Sequence, residues 1–144
     1  MFLGEFRHSL DPKGRLVLPA EMRSELEEGA VVTRSNVGKY LVGFARADFE
    51  ALARRLAEQT AKDPGLRMVE GQTFAKARSV PLDRAGRIVI PENLRQWAGL
   101  SGEVVVAGAN DHFRLWDAGE YDTSAARVDA LIPELIGHVK ELNF

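Results

Sequence analysis

Two short segments of the chain place cations and a carboxylate around a glycine. The first reads Asp11-Pro12-Lys13-Gly14-Arg15 and the second reads Asp83-Arg84-Ala85-Gly86-Arg87. Lysine and arginine neutralise phosphate groups, and arginine can also bind a planar acceptor edge through two parallel hydrogen bonds. The residue types therefore predict two phosphate-binding loops, whose cations are Lys13, Arg15, Arg84 and Arg87.

Both segments also have the residue preferences of a β-turn. Aspartate at the first position and glycine at the fourth favour a type I turn, and Pro12 strengthens the prediction for the first copy. Asp11 and Asp83 are therefore interpreted as structural residues that accept hydrogen bonds from their own turn and orient the arginine that follows. Gly14 and Gly86 complete the two turns.

The turns lie inside a longer repeat, because residues 10–23 match residues 82–95 at a constant offset of 72. Each copy predicts a strand, the turn, a second strand and a short helix. The second strands are the aliphatic triplets Leu16–Leu18 and Ile88–Ile90, which predict strands buried on both faces. The helices are expected to begin after a proline and to end at Gly29 and Gly99.

The remainder of each copy predicts a hairpin followed by a helix. The first hairpin pairs residues 30–33 with 40–44, and the second pairs 103–107 with 112–116. Apolar spacing predicts helices over residues 48–59 and from Tyr121 onward, the latter kinked or broken at Pro133. A linker through Gly71 separates two repeats, residues 1–70 and 71–144, which are each too short for a core of their own. The expected fold class is therefore α+β, mainly β, with one shared core.

Charge is distributed unevenly along the chain. Residues 7–23 carry a net charge of +2 and residues 76–95 carry +3, whereas the whole chain carries −2, so the remaining residues carry −7. Two basic loops on an acidic body favour a local phosphate-binding surface. The absence of cysteine and of any long apolar run predicts a soluble, intracellular protein with no membrane segment.

Other function classes receive little support from the sequence. Two repeated aspartates are reminiscent of a carboxylate dyad, but each is followed by an arginine that favours the ionised form, and no nucleophile motif accompanies them. His8, His112 and His138 do not have metal-ligand spacing. We therefore predict no catalytic residue, no metal site, no cofactor and no small-molecule substrate. A protein-interaction hub remains an alternative, although a hub does not require duplicated cationic loops.

Three features of the sequence together resemble a known family. They are the opening Met-Phe-Leu-Gly-Glu-Phe, the two Asp-x-x-Gly-Arg turns, and the late Phe113-x-Leu115-Trp116. Over essentially the whole chain, these are similar to the MraZ family, bacterial transcription regulators of the division and cell wall gene cluster. The resemblance implies two AbrB-like swapped-hairpin units that interleave into one pseudo-symmetric β-barrel with flanking helices.

The same resemblance implies a function. Family members form ring-shaped homo-oligomers, here expected to be octamers or dodecamers, that bind tandem repeats in promoter DNA, including that of their own operon. It places Arg15 and Arg87 on double-stranded DNA, with Lys13 and Arg84 beside them. The expected protein is a repressor in the cytoplasm, associated with the nucleoid. The alternative is an AbrB-like antitoxin or a protein-interaction hub.

Overall fold

The computed structural model describes residues 1–144 and contains eight β-strands and five α-helices. The strands are β1 (Glu5–Ser9), β2 (Arg15–Val17), β3 (Ala30–Arg34), β4 (Leu41–Ala45), β5 (Arg78–Val80), β6 (Arg87–Val89), β7 (Glu103–Gly108) and β8 (Phe113–Asp117). The helices are α1 (Ala20–Arg23), α2 (Arg46–Lys62), α3 (Arg67–Ala75), α4 (Glu92–Ala98) and α5 (Ala118–Ile136). Short 3-10 turns follow α1, α2 and α5.

The strands form two separate antiparallel sheets. The larger sheet has the order β1-β7-β8-β4-β3-β5, and the smaller one pairs β2 with β6. The α+β class is therefore correct, but the chain is not mainly β, because its helices contain more residues than its strands. The closed barrel expected from the family resemblance is not found. The three-residue strands β2 and β6 pair only with each other, so β1 and β5 remain the open edges of the larger sheet.

Strand pairing repeatedly joins the two halves of the chain. Strand β1 pairs along its length with β7, from Glu5 opposite Ala107 to Ser9 opposite Glu103. In return, β5 of the second half pairs with β3 of the first half. Strands β4 and β8 pair at the centre of the sheet, and β2 pairs with β6. Each half thus gives its first strand to the hairpin of the other half.

The core is also built from both copies of the repeat. It is a single cluster of 18 buried residues, and its central aliphatic side chains are fully buried. Burying one such side chain stabilises the fold by about 1.5–3 kcal/mol, so the two repeats stabilise one another. The fully buried aliphatic residues of the two triplets are Leu16, Leu18, Ile88 and Ile90.

The aliphatic triplets are nevertheless not buried on both faces, as the sequence had suggested. Val17 is half-buried, and Val89 is 52% exposed. The physical reason is that successive side chains of a strand point to opposite faces, and only one face of the two-stranded sheet meets the core. The other face of this sheet is open to solvent.

Several local predictions are confirmed. The hairpins β3–β4 and β7–β8 lie where they were predicted, and the observed end of each strand differs from the predicted end by at most one residue. Helix α4 ends before Gly99, whose φ of +68° is the left-handed conformation that favours glycine at a helix end. These features depend on short-range chemistry, so the local sequence was sufficient to predict them.

The predicted linker is wrong, because residues 67–75 form helix α3 and Gly71 lies inside it. Phe74 is a residue of this helix, and the centre of its ring lies 5.7 Å from that of Phe49. Tertiary contacts stabilise this short helix: the Thr33 hydroxyl donates to the carbonyl of Thr73 at 2.8 Å. Such contacts are not visible in a local pattern.

The terminal helix α5 begins three residues earlier than predicted. It begins after Asp117, whose carboxylate accepts a hydrogen bond from the N–H of Glu120 at 3.0 Å, and it continues through Pro133 to Ile136. Of the two predicted effects of Pro133, the break does not occur, since the missing N–H affects only the final turn of the helix. None of the helices combines the length and hydropathy that a membrane span requires.

Candidate nucleic-acid interface

The first repeated turn is organised by Asp11. The N–H of Gly14 donates to the Asp11 carbonyl at 2.9 Å, and Gly14 has a φ of +78°. The Asp11 side-chain oxygen Oδ1 accepts from the N–H groups of Lys13 at 2.9 Å and Arg15 at 2.8 Å. This is a type I turn followed by a left-handed glycine, a connection that suits antiparallel chain reversal.

The second turn has the same arrangement. The N–H of Gly86 donates to the Asp83 carbonyl at 3.0 Å, and Gly86 has a φ of +75°. Asp83 Oδ1 accepts from the N–H groups of Ala85 at 2.9 Å and Arg87 at 2.8 Å. The two turns therefore present their following arginines in equivalent local frames.

Each of these arginines is held by one nitrogen. Arg15 Nε donates to Asp11 Oδ2, and Arg87 Nε donates to Asp83 Oδ2 at 2.8 Å. The terminal guanidinium nitrogens form no hydrogen bond within the chain, and the two arginine side chains are 34% and 33% exposed. The carboxylate thus limits the orientation of each guanidinium group and leaves its terminal donors free to bind a ligand.

The strands place both arginines on one surface. Leu16 pairs with Ile88 at the centre of the two-stranded sheet, and both face the core. Arg15 pairs with Val89, and Arg87 pairs with Val17, so the two arginines are diagonal neighbours whose Cα atoms are about 7–8 Å apart. We call the solvent-facing side of this sheet the ribbon face; its residues are Arg15, Val17, Arg87 and Val89.

Two further arginines adjoin the turns in the structure, although neither is next to a turn in the sequence. Arg23 Nε donates to the Leu18 carbonyl, and Arg95 Nε donates to the Ile90 carbonyl, both at 2.9 Å. A Cβ atom added to Gly14 would lie 2.7 Å from Arg95 Cζ, and one added to Gly86 would overlap Arg23. Each arginine therefore covers the turn of the opposite copy.

Backbone hydrogen bonds join the two turns in the same crossed manner. The N–H of Leu18 donates to the Gly86 carbonyl, and the N–H of Ile90 donates to the Gly14 carbonyl, both at 2.9 Å. The sequence signal for this crossing was the repeated position of the two later arginines, 72 residues apart. That signal indicated equivalence, but it did not identify the turn that each side chain would reach.

The other cations in and near the repeated segments differ in their surroundings. Lys13 and Arg84 lie at the exposed tips of their turns and form no ion pair. Arg7, in contrast, pairs with Asp122 of α5 and Glu103 of β7. The tips can therefore meet an external anion, whereas Arg7 connects β1 to the terminal helix.

The turn carboxylates are stabilised in their ionised form. The N–H of Arg15 is the main cause that lowers the pKa of Asp11 below its ordinary value of 3.8, and the Arg15 guanidinium and the N–H of Lys13 act in the same direction. The N–H and guanidinium of Arg87 lower the pKa of Asp83 in the same way. Both carboxylates therefore remain charged at neutral pH and continue to hold their arginines.

We expect this arrangement to give the turns an acid-sensitive stability. A carboxyl whose folded pKa lies below its unfolded value stabilises the fold above the unfolded pKa, and this contribution disappears as pH falls through the folded pKa. Carboxyl ¹³C titration should therefore place Asp11 and Asp83 below 3.8. The melting temperature of Asp83→Asn should be lower than that of the wild type near pH 6, and the difference should shrink below about pH 4. A carboxyl pKa at or above the ordinary value would contradict this account.

Comparison with known proteins identifies the family. The family model described as "MraZ protein, putative antitoxin-like" matches residues 1–70 and 73–131. Relatives named "Transcriptional regulator MraZ" from Roseiflexus sp. (strain RS-1) and Roseiflexus castenholzii are each 39% identical over 144 residues, which cover 100% of both chains. A protein of the same name from Herpetosiphon aurantiacus is 37% identical over 139 residues, 96% of each chain. The chain belongs to the MraZ family.

Proposed function

We propose that this protein is a transcription regulator that binds double-stranded promoter DNA through the ribbon face and the two turns beside it. The name of its relatives supports the regulatory role. The observation that carries DNA binding is the set of four arginines that are each fixed through Nε and have free terminal nitrogens around one exposed two-stranded sheet. They are Arg15, Arg23, Arg87 and Arg95.

The shape and chemistry of this surface suit a DNA groove. The major groove of B-DNA admits a two-stranded β-ribbon. The terminal nitrogens of Arg15 and Arg87 match the two acceptors on the edge of guanine, and the side chains of Val17 and Val89 can contact thymine methyl groups. Lys13 and Arg84, at the turn tips, are placed to contact the phosphates on either side.

The repeated architecture supports a DNA-binding surface to which both repeats contribute. We assign residues 1–70 and 71–144 to two AbrB-like swapped-hairpin repeats, because β1 and β5 are exchanged between the two hairpins and β2 pairs with β6 across them. Neither repeat alone forms the ribbon face, since one arginine comes from each. The unit that binds DNA is therefore the whole chain.

A single chain offers too few cations for tight binding at cellular salt, because it neutralises only a few phosphates. We therefore propose a ring of eight or twelve copies that engages tandem promoter repeats, so that several modest contacts act together. Helix α5 supports such assembly, because one side of its second half exposes a continuous apolar stripe. The stripe consists of Val128, Leu131, Ile132 and Leu135, which are 40–59% exposed.

The proposed target is the promoter of the division and cell wall gene cluster, which would also be the promoter of this protein's own operon. A ring covering tandem repeats would exclude RNA polymerase and repress transcription, which places the protein in the cytoplasm, at the nucleoid. The test is nuclease footprinting of the purified protein on the DNA upstream of its own gene. We expect several protected repeats at constant spacing. Equal protection of a scrambled sequence of the same length would contradict specific regulation.

The apolar stripe leads to a separate prediction about assembly. Introducing charge with Leu131→Glu and Leu135→Glu should dissociate the oligomer, because buried unpaired carboxylates are costly at an apolar interface. The fold of the chain should persist, since both side chains are already exposed. Light scattering coupled to size exclusion measures the mass.

Ala126→Glu and Ala130→Glu provide the matched control, because these exposed residues lie on the opposite side of the same helix at 100° per residue. We expect the control pair to retain the wild-type mass. A monomeric wild type at micromolar concentration, or equal dissociation of both pairs, would refute assembly through the stripe.

A further inference from the structure

We propose that a groove beside Trp97 binds a small molecule that carries a phosphate monoester. We call it the Trp97 groove; its volume is about 500 Å³, within the usual range of ligand pockets. It lies between α3, the end of α4 and the tip of the β3–β4 hairpin. Its lining residues are Arg34, Ser35, Asn36, Lys39, Met68, Val69, Gln72 and Trp97.

Two positive charges converge on one indole ring in this groove. Arg34 Cζ lies 4.6 Å from the centre of the Trp97 ring, and Lys39 Nζ lies 4.4 Å from it, so the two charges are within about 9 Å of each other. Neither cation forms an ion pair, and no aspartate or glutamate lines the groove. The groove therefore holds two cations together without an internal counter-ion.

The rest of the lining indicates the kind of anion. A phosphate monoester carries a charge close to −2 at neutral pH, which matches the two cations. The Gln72 amide and the Ser35 hydroxyl line the same groove and add neutral hydrogen-bonding groups. Met68, which is 82% exposed, and Val69 provide an apolar wall for the organic part of the ligand.

The groove is present once in the chain, whereas the cationic turns are repeated. Arg34 pairs with Leu41 in the first hairpin, and Gly108 pairs with Phe113 at the corresponding place in the second. The residue 72 positions after Lys39 is Asp111. The second copy therefore lacks both cations, so the groove is not part of the duplicated surface that we assign to DNA. A single concave site favours a small ligand.

The experiment titrates the intact protein with phenyl phosphate, using phenol as the probe that lacks the phosphate. The two tryptophans give two indole N–H signals in ¹H–¹⁵N spectra, and Trp97→Phe assigns them. We expect phenyl phosphate to shift the Trp97 signal saturably and phenol to leave it unchanged. The Trp116 signal should not follow the same titration curve.

The double variant Arg34→Gln and Lys39→Gln should weaken phenyl phosphate binding by at least about tenfold, as measured by calorimetry. Arg54→Gln and Lys62→Gln remove the same charge from exposed positions on α2 and should change the affinity by less than about twofold. Equal weakening by both pairs, or no saturable shift of Trp97, would overturn the proposal. So would a Trp97 shift produced by a DNA duplex but not by phenyl phosphate, because the groove would then be a backbone contact. DNA binding through the ribbon face is measured separately and can fail without affecting this result.

Discussion

Replacing Arg15 and Arg87 together by alanine should lower the affinity for promoter DNA by about 2–6 kcal/mol for each engaged chain, if each arginine binds one guanine edge. The loss should be large because both guanidinium groups are already oriented through Nε and lie on the same ribbon face. The fold should persist, because each turn loses only a partly exposed ion pair. Fluorescence anisotropy on promoter and scrambled DNA measures the change.

The salt dependence of binding distinguishes base contacts from phosphate contacts. Each lost phosphate contact should reduce the slope of log affinity against log salt by about 0.9. Loss of a base contact should instead lower mainly the affinity for the promoter sequence, with less effect on scrambled DNA. Arg15→Lys and Arg87→Lys keep the charge but remove the planar fork, so they should retain most of the slope and lose sequence preference. These two substitutions test whether the arginines contact DNA bases.

The matched control replaces Arg54 and Lys62, two exposed cations of α2, by alanine. This control removes as much positive charge as the Arg15→Ala/Arg87→Ala variant does, at positions far from both turns in the sequence. DNA affinity should therefore stay nearly unchanged. Each variant is first checked for the oligomeric mass of the wild type. Wild-type affinity and slope in an intact Arg15→Ala/Arg87→Ala protein would show that the ribbon face is not the DNA-binding surface.

Separating the two halves should abolish the cooperative fold. The cut belongs after Lys76, because α3 ends at Ala75 and a break at residue 70 would divide that helix. The fragments 1–76 and 77–144 would each lose the partner of their first strand and of their ribbon strand, since β1 pairs with β7, β5 with β3, and β2 with β6. Neither fragment should show a cooperative thermal transition by circular dichroism.

A mixture of the two fragments provides the control for this experiment. Equimolar fragments should regain a cooperative transition, because all strand pairs and the shared core can form between two chains as they do within one. The midpoint should rise with fragment concentration, as expected for folding coupled to association. A cooperative monomeric transition in either fragment alone would mean that a half can form a core without its partner.

The amino-acid sequence determined the features that depend on neighbouring residues. Aspartate and glycine at fixed positions predicted the two turns, because their preferences arise from hydrogen bonding and φ within four residues. Alternating apolar segments predicted the hairpins β3–β4 and β7–β8, and Gly99 marked the end of α4. The constant offset of 72 also showed that Arg15 and Arg87 are equivalent.

The tertiary structure decided which equivalent parts meet. The local pattern did not show that Val89 would be exposed on the ribbon face or that Arg95 would cover Gly14, because both depend on the pairing of strands far apart in the chain. For the same reason, the local pattern predicted a linker where α3 forms, and it did not show that two cations lie against Trp97. The spacing of apolar residues indicates which face of a strand or helix is buried. It does not indicate which distant segment packs against that face, because this is decided only when all segments pack together into one core.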